Sequence, residues 1–161
     1  LNIVELLQSS EIGKVVITFF VSMLPVVELR GAIPIGTAMG LTPVASAVIS
    51  VVGNMVPIPF IILFIRRIFA WMQAKSPRLG NISRRLEQRA ISKSSRLYKG
   101  ELIGLMIFVA IPLPGTGAWT GALIAAILNI RLKAALPVIA AGVLIAGFLV
   151  LGITYGFTKI F

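Results

Sequence analysis

The chain has 161 residues, 58% of them hydrophobic and only 12% charged, with a mean hydropathy of +1.02. A soluble domain of this size carries about a quarter charged residues, so the composition excludes an ordinary soluble fold and marks an all-α integral membrane protein. Fifteen Lys and Arg against five acidic residues, all Glu, give a formal charge of +10. Most of that excess lies in one segment between apolar blocks, which fits a cytoplasmic loop facing anionic lipid and argues against nucleic acid as a partner.

There is no Cys, His or Asp. Disulfides, thiolate chemistry, the common hydrolytic triads and the usual zinc, copper and haem ligand sets are therefore absent, and neither an enzyme nor a cofactor is expected. Residues Leu1 to Glu11 carry two Glu in place of a basic n-region, so no cleavable signal peptide is expected there. Ile3, Leu6 and Leu7 fall on one side of a short helix that would lie at the membrane interface.

Lys14 to Leu24 is apolar apart from Thr18 and Ser22, and Pro25 interrupts it. Eleven helical residues cover roughly 16 Å, about half of a 30 Å hydrocarbon core. Leu29 to Gly40 forms a second short arm. Between the arms Glu28 and Arg30 stand two residues apart inside the apolar run. Ionisable groups at membrane depth cost at least a few kcal/mol each, which makes them functional candidates by default. Two half-length arms predict a re-entrant hairpin; one long kinked helix from Val15 to Leu41 is the alternative reading.

Thr42 and Pro43 mark a helix start, and the apolar segment to Ile65 is long enough to span before Arg66 and Arg67. Gly53, Asn54, Pro57 and Pro59 predict a kink near its middle. Asn54 needs a partner inside the protein, through either a helix–helix hydrogen bond or a ligand contact. Trp71 to Gly100 is polar. Ser76-Pro77 starts a helix with Leu79, Ile82, Leu86 and Ala90 at helical spacing and Arg78, Arg84, Arg85, Arg89, Lys93, Arg96 and Lys99 on other faces. It reads as a basic amphipathic helix on the cytoplasmic leaflet, or as a solvated connector.

The second half repeats the layout. Leu102 to Ile111 runs into Pro112-Leu113-Pro114-Gly115-Thr116-Gly117, which cannot continue an ordinary helix. Ala118 to Leu128 is a further short arm, Asn129, Arg131 and Lys133 form a polar turn, and Ala134 to Thr158 spans. Phe20-Val21-Ser22-Met23-Leu24-Pro25 matches Phe108-Val109-Ala110-Ile111-Pro112, Gly31-Ala32 matches Gly117-Ala118, and Gly53 falls near Gly142 with a small gap. If all four apolar blocks crossed fully, Arg131 and Lys133 would lie opposite the basic loop, against the positive-inside rule. Hairpins in the first and third blocks bring both basic clusters to the cytoplasmic side. The expected architecture is one membrane domain of two inverted repeats (1–71 and 101–161), each a re-entrant hairpin followed by a transmembrane helix, joined by the basic segment 72–100. The hairpins would open from opposite faces and meet tip to tip.

The segments E-L-R-G-A-I-P and P-L-P-G-T-G-A-W-T-G, on a chain this size, resemble the small multidrug export protein family, itself similar at greater distance to the DedA membrane proteins. The resemblance implies a multi-pass protein of the inner (cytoplasmic) cell membrane. Its transport role would be either export of small molecules or movement of a lipid or lipid carrier, such as undecaprenyl phosphate, by a flippase or scramblase. Glu28, Gly31 and Pro34 resemble the acidic first-hairpin motif of DedA proteins, whose carboxylate serves proton coupling. Phe108, Ile111 and Pro112 match their second hairpin, but Ala110 and Thr116 stand where arginines are expected. The phosphate-binding cations are thus missing unless Arg30 supplies the charge.

The candidate site for substrate or proton comprises Glu28, Arg30, Gly31, Pro34, Asn54, Pro112, Pro114, Gly115, Thr116, Gly117 and Trp119. Desolvation and a neighbouring cation move a carboxyl in opposite directions, so Glu28 beside Arg30 is either poised to exchange a proton or locked in a permanent pair. Gly115 to Gly117 offer amides and a hydroxyl at a half-helix start, or merely a tight turn. Trp119 lines a cavity for a cationic solute or anchors the packing. The expected partners are membrane lipids, protons as coupling ion and a small-molecule or lipid substrate, with a homodimer as a further option. A membrane scaffold without transport activity is the rival class.

Overall fold

A computed structural model describes residues 10–94, 100–113 and 115–156. The interfacial helix expected before Ser10, and Pro114, Arg96 and Lys99, lie outside the described residues. The helices are α1 (Glu11–Ser22), α2 (Glu28–Ala38), α3 (Pro43–Met55), α4 (Pro57–Lys75), α5 (Pro77–Ser94), α6 (Glu101–Ala110), α7 (Ala118–Ile127) and α8 (Leu132–Tyr155). No strand occurs among the described residues. The chain divides into two compact units, with cuts between Val56 and Pro57 and between Gly142 and Val143.

In the first unit α1, α2 and α3 pack against one another. Ser10 caps α1 by accepting from the Gly13 amide at 3.0 Å, and Thr42 caps α3 by accepting from Ala45 at 3.2 Å, with Pro43 at the first helical position. The Leu24–Val27 turn joins α1 to α2 as a helical hairpin. Its open end is closed on itself: a Cβ on Gly40 would lie 3.4 Å from Lys14 Nζ, so the start of α1 and the end of α2 share one level. The middle of the hairpin is held by small and hydroxyl residues. A Cβ on Gly36 would lie 2.3 Å from Ser46 Oγ and 2.7 Å from Thr18 Oγ1. Near the turn, a Cβ on Gly53 of α3 would lie 2.1 Å from Ser22 Oγ and 2.5 Å from the Phe19 carbonyl. The hairpin turn therefore sits level with the end of α3.

α3 and α4 form one apolar stretch of 33 residues, interrupted at Val56 where Pro57 and Pro59 remove two backbone donors. The kink is where the prolines place it. This stretch and α8, with 24 residues, are each long and apolar enough to cross a membrane. Pro34 and Pro137 lie inside α2 and α8 without ending them.

In the second unit α6 and α7 pack as a second hairpin, with a Cβ on Gly121 falling 2.5 Å from Val109 Cγ2. α8 seats Gly142 against the other arm, 2.8 Å from the Met106 carbonyl. α7 also packs on α4 and α5. Arg66 of α4 donates to Asn129 Oδ1, which brings the basic end of α4 and the turn after α7 to one end of this unit. α5 is the helix expected after Ser76-Pro77. Its protected face is Gly80, Ser83 and Ala90, while Ile82, Leu86 and Ile91 are exposed among the arginines. Small residues allow α5 to lie close to its neighbours, as the 3.3 Å between a Gly80 Cβ and Gln73 Cα indicates.

Gly53→Ala should lower the thermal unfolding midpoint in detergent by an amount equivalent to about 1–3 kcal/mol, because the Phe19 carbonyl is backbone and cannot give way. Gly147→Ala, where the nearest atom is the Val51 Cγ2 side chain at 3.3 Å, should change it far less.

Candidate functional site

Glu28, Arg30, Gly31, Pro34 and Asn54 belong to the first unit; Pro112, Gly115, Thr116, Gly117 and Trp119 belong to the second.

Glu28 opens α2 at the hairpin turn. Its residue is buried, 5% exposed, and its backbone adopts φ +49, a left-handed conformation uncommon for a non-glycine residue. The turn enforces this geometry: the Glu28 amide donates to the Leu24 carbonyl at 2.9 Å and that of Gly31 to Val27 at 3.0 Å. A Cβ on Gly31 would lie 2.4 Å from Val27 Cγ1, so the turn closes over a glycine. Arg30 is half-buried and within electrostatic range of the Glu28 carboxylate. Pro34 has no N–H, which takes the i+4 donor from the Arg30 carbonyl. A carboxylate, a guanidinium and a strained backbone thus share one turn of an otherwise apolar hairpin.

From the middle of the hairpin to that turn runs a set of buried polar side chains: Thr18, Ser22, Ser46, Ser50 and Asn54, each with 0% exposure. Three are satisfied by backbone. Thr18 donates to Lys14 at 2.8 Å, Ser22 to Phe19 at 2.6 Å, and Ser46 across to Ile33 of α2 at 2.8 Å. The Ser50 hydroxyl and both amide atoms of Asn54 have no hydrogen-bond partner among the described residues. The helix–helix hydrogen bond open to Asn54 in the sequence is therefore not made among the described residues. Ser46, Ser50 and Asn54 recur at i, i+4 and i+8 on α3, a helical spacing of polar residues that is the sequence signal for this buried stripe.

The second hairpin turn is built differently. Ile111 takes an extended backbone, φ −72 and ψ +119, as the residue before a proline does. Gly115 and Gly117 have φ +77 and +124, conformations that need glycine. The Thr116 hydroxyl lies 2.7 Å from the Ile111 carbonyl and 2.8 Å from that of Leu113, and its oxygen accepts from the Leu113 amide at 3.3 Å. The hydroxyl ties the loop to its own backbone. Pro112 and Trp119 are half-buried, Trp119 in the first turn of α7. Among the described residues no group of His, Cys, Asp or Glu could hold a metal ion.

The family model described as "Putative small multi-drug export protein" matches residues 28–149, from Glu28 through both hairpin turns into α8. The chain belongs to this family. No curated protein and no solved structure matches it. Membership of this export family, together with two apolar helices of spanning length, makes the protein a membrane transport protein by family.

Thr116→Val should lower the thermal midpoint by the equivalent of about 1–2 kcal/mol, since it leaves the Leu113 amide and the Ile111 carbonyl without their side-chain partner. Thr116→Ser should restore most of the loss in the same detergent melt.

Proposed function

We propose that the protein is a proton-coupled exporter of small molecules in the inner membrane, with Glu28 as the proton-carrying group. The observation that carries this reading is the burial of Glu28 in a left-handed backbone conformation at the turn of an apolar hairpin. Strained backbone and a buried carboxylate both work against stability, and both concentrate at functional positions. Arg30 balances the charged form of Glu28 from the same turn. A carboxylate so balanced can release its proton to one side and take it up from the other as the solute moves.

The reading includes re-entrant hairpins in an inverted repeat, and three observations support it. Lys14 beside Gly40 brings both ends of the first hairpin to one level. Arg66 on Asn129 does the same for the basic ends of the second unit, as the positive-inside rule requires of hairpins that turn back. Each spanning stretch also accepts the first arm of its hairpin at a glycine, Gly53 against the Phe19 carbonyl and Gly142 against that of Met106. The sequence match of Phe20 to Phe108 puts these contacts at neighbouring positions of the repeat. Irregular backbone at membrane depth survives only under protein cover, and these contacts supply it.

Glu28→Gln keeps the shape and removes the exchangeable charge. In proteoliposomes with an imposed pH gradient it should lose at least tenfold in proton flux, read by an internal pH dye, while its thermal midpoint stays at or above wild type. Wild-type flux in Glu28→Gln would overturn the assignment.

A further inference from the structure

The Ser50–Asn54 pair is not used by the reading above, and it stands out among the polar groups of the first unit. An amide buried without partners carries its full desolvation penalty with nothing to offset it, so a protein that keeps one has a use for it. The other buried hydroxyls, Thr18, Ser22 and Ser46, spend their donors on backbone carbonyls. Ser50 Oγ, Asn54 Oδ1 and Asn54 Nδ2 do not. The two residues are one turn apart on α3 and face the same way, with their Cβ atoms about 5–6 Å apart. A water molecule can bridge groups at that separation. Next to them, Pro59 carries no N–H, so the Met55 carbonyl has no i+4 donor.

The chemistry of the pair narrows what it can hold. Asn54 presents an unused acceptor and an unused donor together, and Ser50 presents a hydroxyl that is both. A bare cation would satisfy only the oxygen acceptors, and an anion only the O–H and N–H donors. Water offers donors and acceptors at once, and a buried water takes about three polar partners. The pair also sits at the depth of Glu28. α2 and α3 are antiparallel, joined by a short turn and cross-linked by Ser46 donating to the Ile33 carbonyl at 2.8 Å. Counting along both helices from that bond places Ser50 level with Leu29, next to Glu28, and Asn54 level with Pro25. The other titratable groups on the packed helices of the first unit, among the described residues, are Glu11 and Lys14, paired at 2.6 Å at the far end of the hairpin, Arg30, and Tyr155 at the end of α8, which touches α3 through Gly147 and Val51.

We infer that Ser50 and Asn54 hold water inside the first unit and that this water delivers protons to Glu28. The inference rests on the proton-carrying reading of Glu28. In each transfer one O–H bond of the hydrated proton breaks, one forms on a Glu28 carboxylate oxygen, and a neutral water remains on the pair; the return step reverses this. Ser50 and Asn54 are positioning residues: they orient the water and do not themselves change protonation.

The test uses full-length protein in liposomes, with protons as the probe. Passive proton flux under an imposed pH gradient and the thermal midpoint are measured for wild type, Glu28→Gln, Asn54→Leu, Asn54→Ser and Ser50→Ala. Leu has nearly the shape of Asn and removes every polar atom. The expected result is a tenfold or greater loss of flux in Asn54→Leu with an unchanged or raised midpoint, a several-fold loss in Ser50→Ala, and flux within threefold of wild type in Asn54→Ser. A lowered midpoint in Asn54→Leu, or its failure to fold, would make Asn54 a structural residue and overturn the inference. So would wild-type flux in both Asn54→Leu and Ser50→Ala while Glu28→Gln is dead, which leaves the role of Glu28 standing. Wild-type flux in Glu28→Gln removes the role of Glu28 and the relay with it.

Discussion

The structure depends on two places where a helix gives up a side chain so that another backbone can touch it. Gly53 of α3 meets the Phe19 carbonyl and Ser22 hydroxyl, and Gly142 of α8 meets the Met106 carbonyl and Val109. Short hairpins of ten to twelve residues per arm cannot hold themselves together in lipid, where the hydrophobic effect offers nothing between apolar surfaces. Close packing at glycine, hydroxyl to carbonyl contacts such as Ser46 to Ile33, and cover for the turn backbone take its place. Once those seats exist, the turns can carry groups that an ordinary spanning helix would exclude.

The two turns make different use of that freedom. The first concentrates charge and strain at Glu28 and Arg30, and leaves Ser50 and Asn54, one helix away, without a hydrogen-bond partner among the described residues. The second turns the Thr116 hydroxyl onto its own backbone and needs two glycines in positive φ. A turn tied to its own backbone in this way is suited to holding shape. A turn with a buried carboxylate and open partners is suited to exchanging something. The proposed division of labour follows: proton chemistry in the first unit, a rigid counterpart in the second.

The outline was legible because its causes are local. Pro25 and Pro112 stop helices wherever they occur, apolar length decides what can span, and Pro57 with Pro59 decides where the first span bends. Pro34 and Pro137 show the limit of the same rule, since packing keeps helices going past them. The side of α5 that meets α4 and α7 was not legible: the small residues Gly80, Ser83 and Ala90 are buried there, while Ile82 and Leu86 stay exposed. The fate of individual polar atoms was also hidden. Nothing in Pro112–Gly117 says that Thr116 folds back on Ile111, and nothing in α3 says that Asn54 finds no partner, because both depend on distances of a few tenths of an ångström.

The central claim is that α1 and α2 form a hairpin that enters and leaves the membrane on one face, carrying Glu28 at its turn. The chain has no cysteine, so single substitutions report without background. Ile12, 79% exposed at the start of α1, and Ala38, exposed at the end of α2, can each be replaced by Cys and labelled in intact cells with an impermeant maleimide. The account predicts that both react from the same face of the membrane. Labelling of Ile12→Cys from one face and Ala38→Cys from the other would mean a single helix crossing the bilayer, and would contradict it.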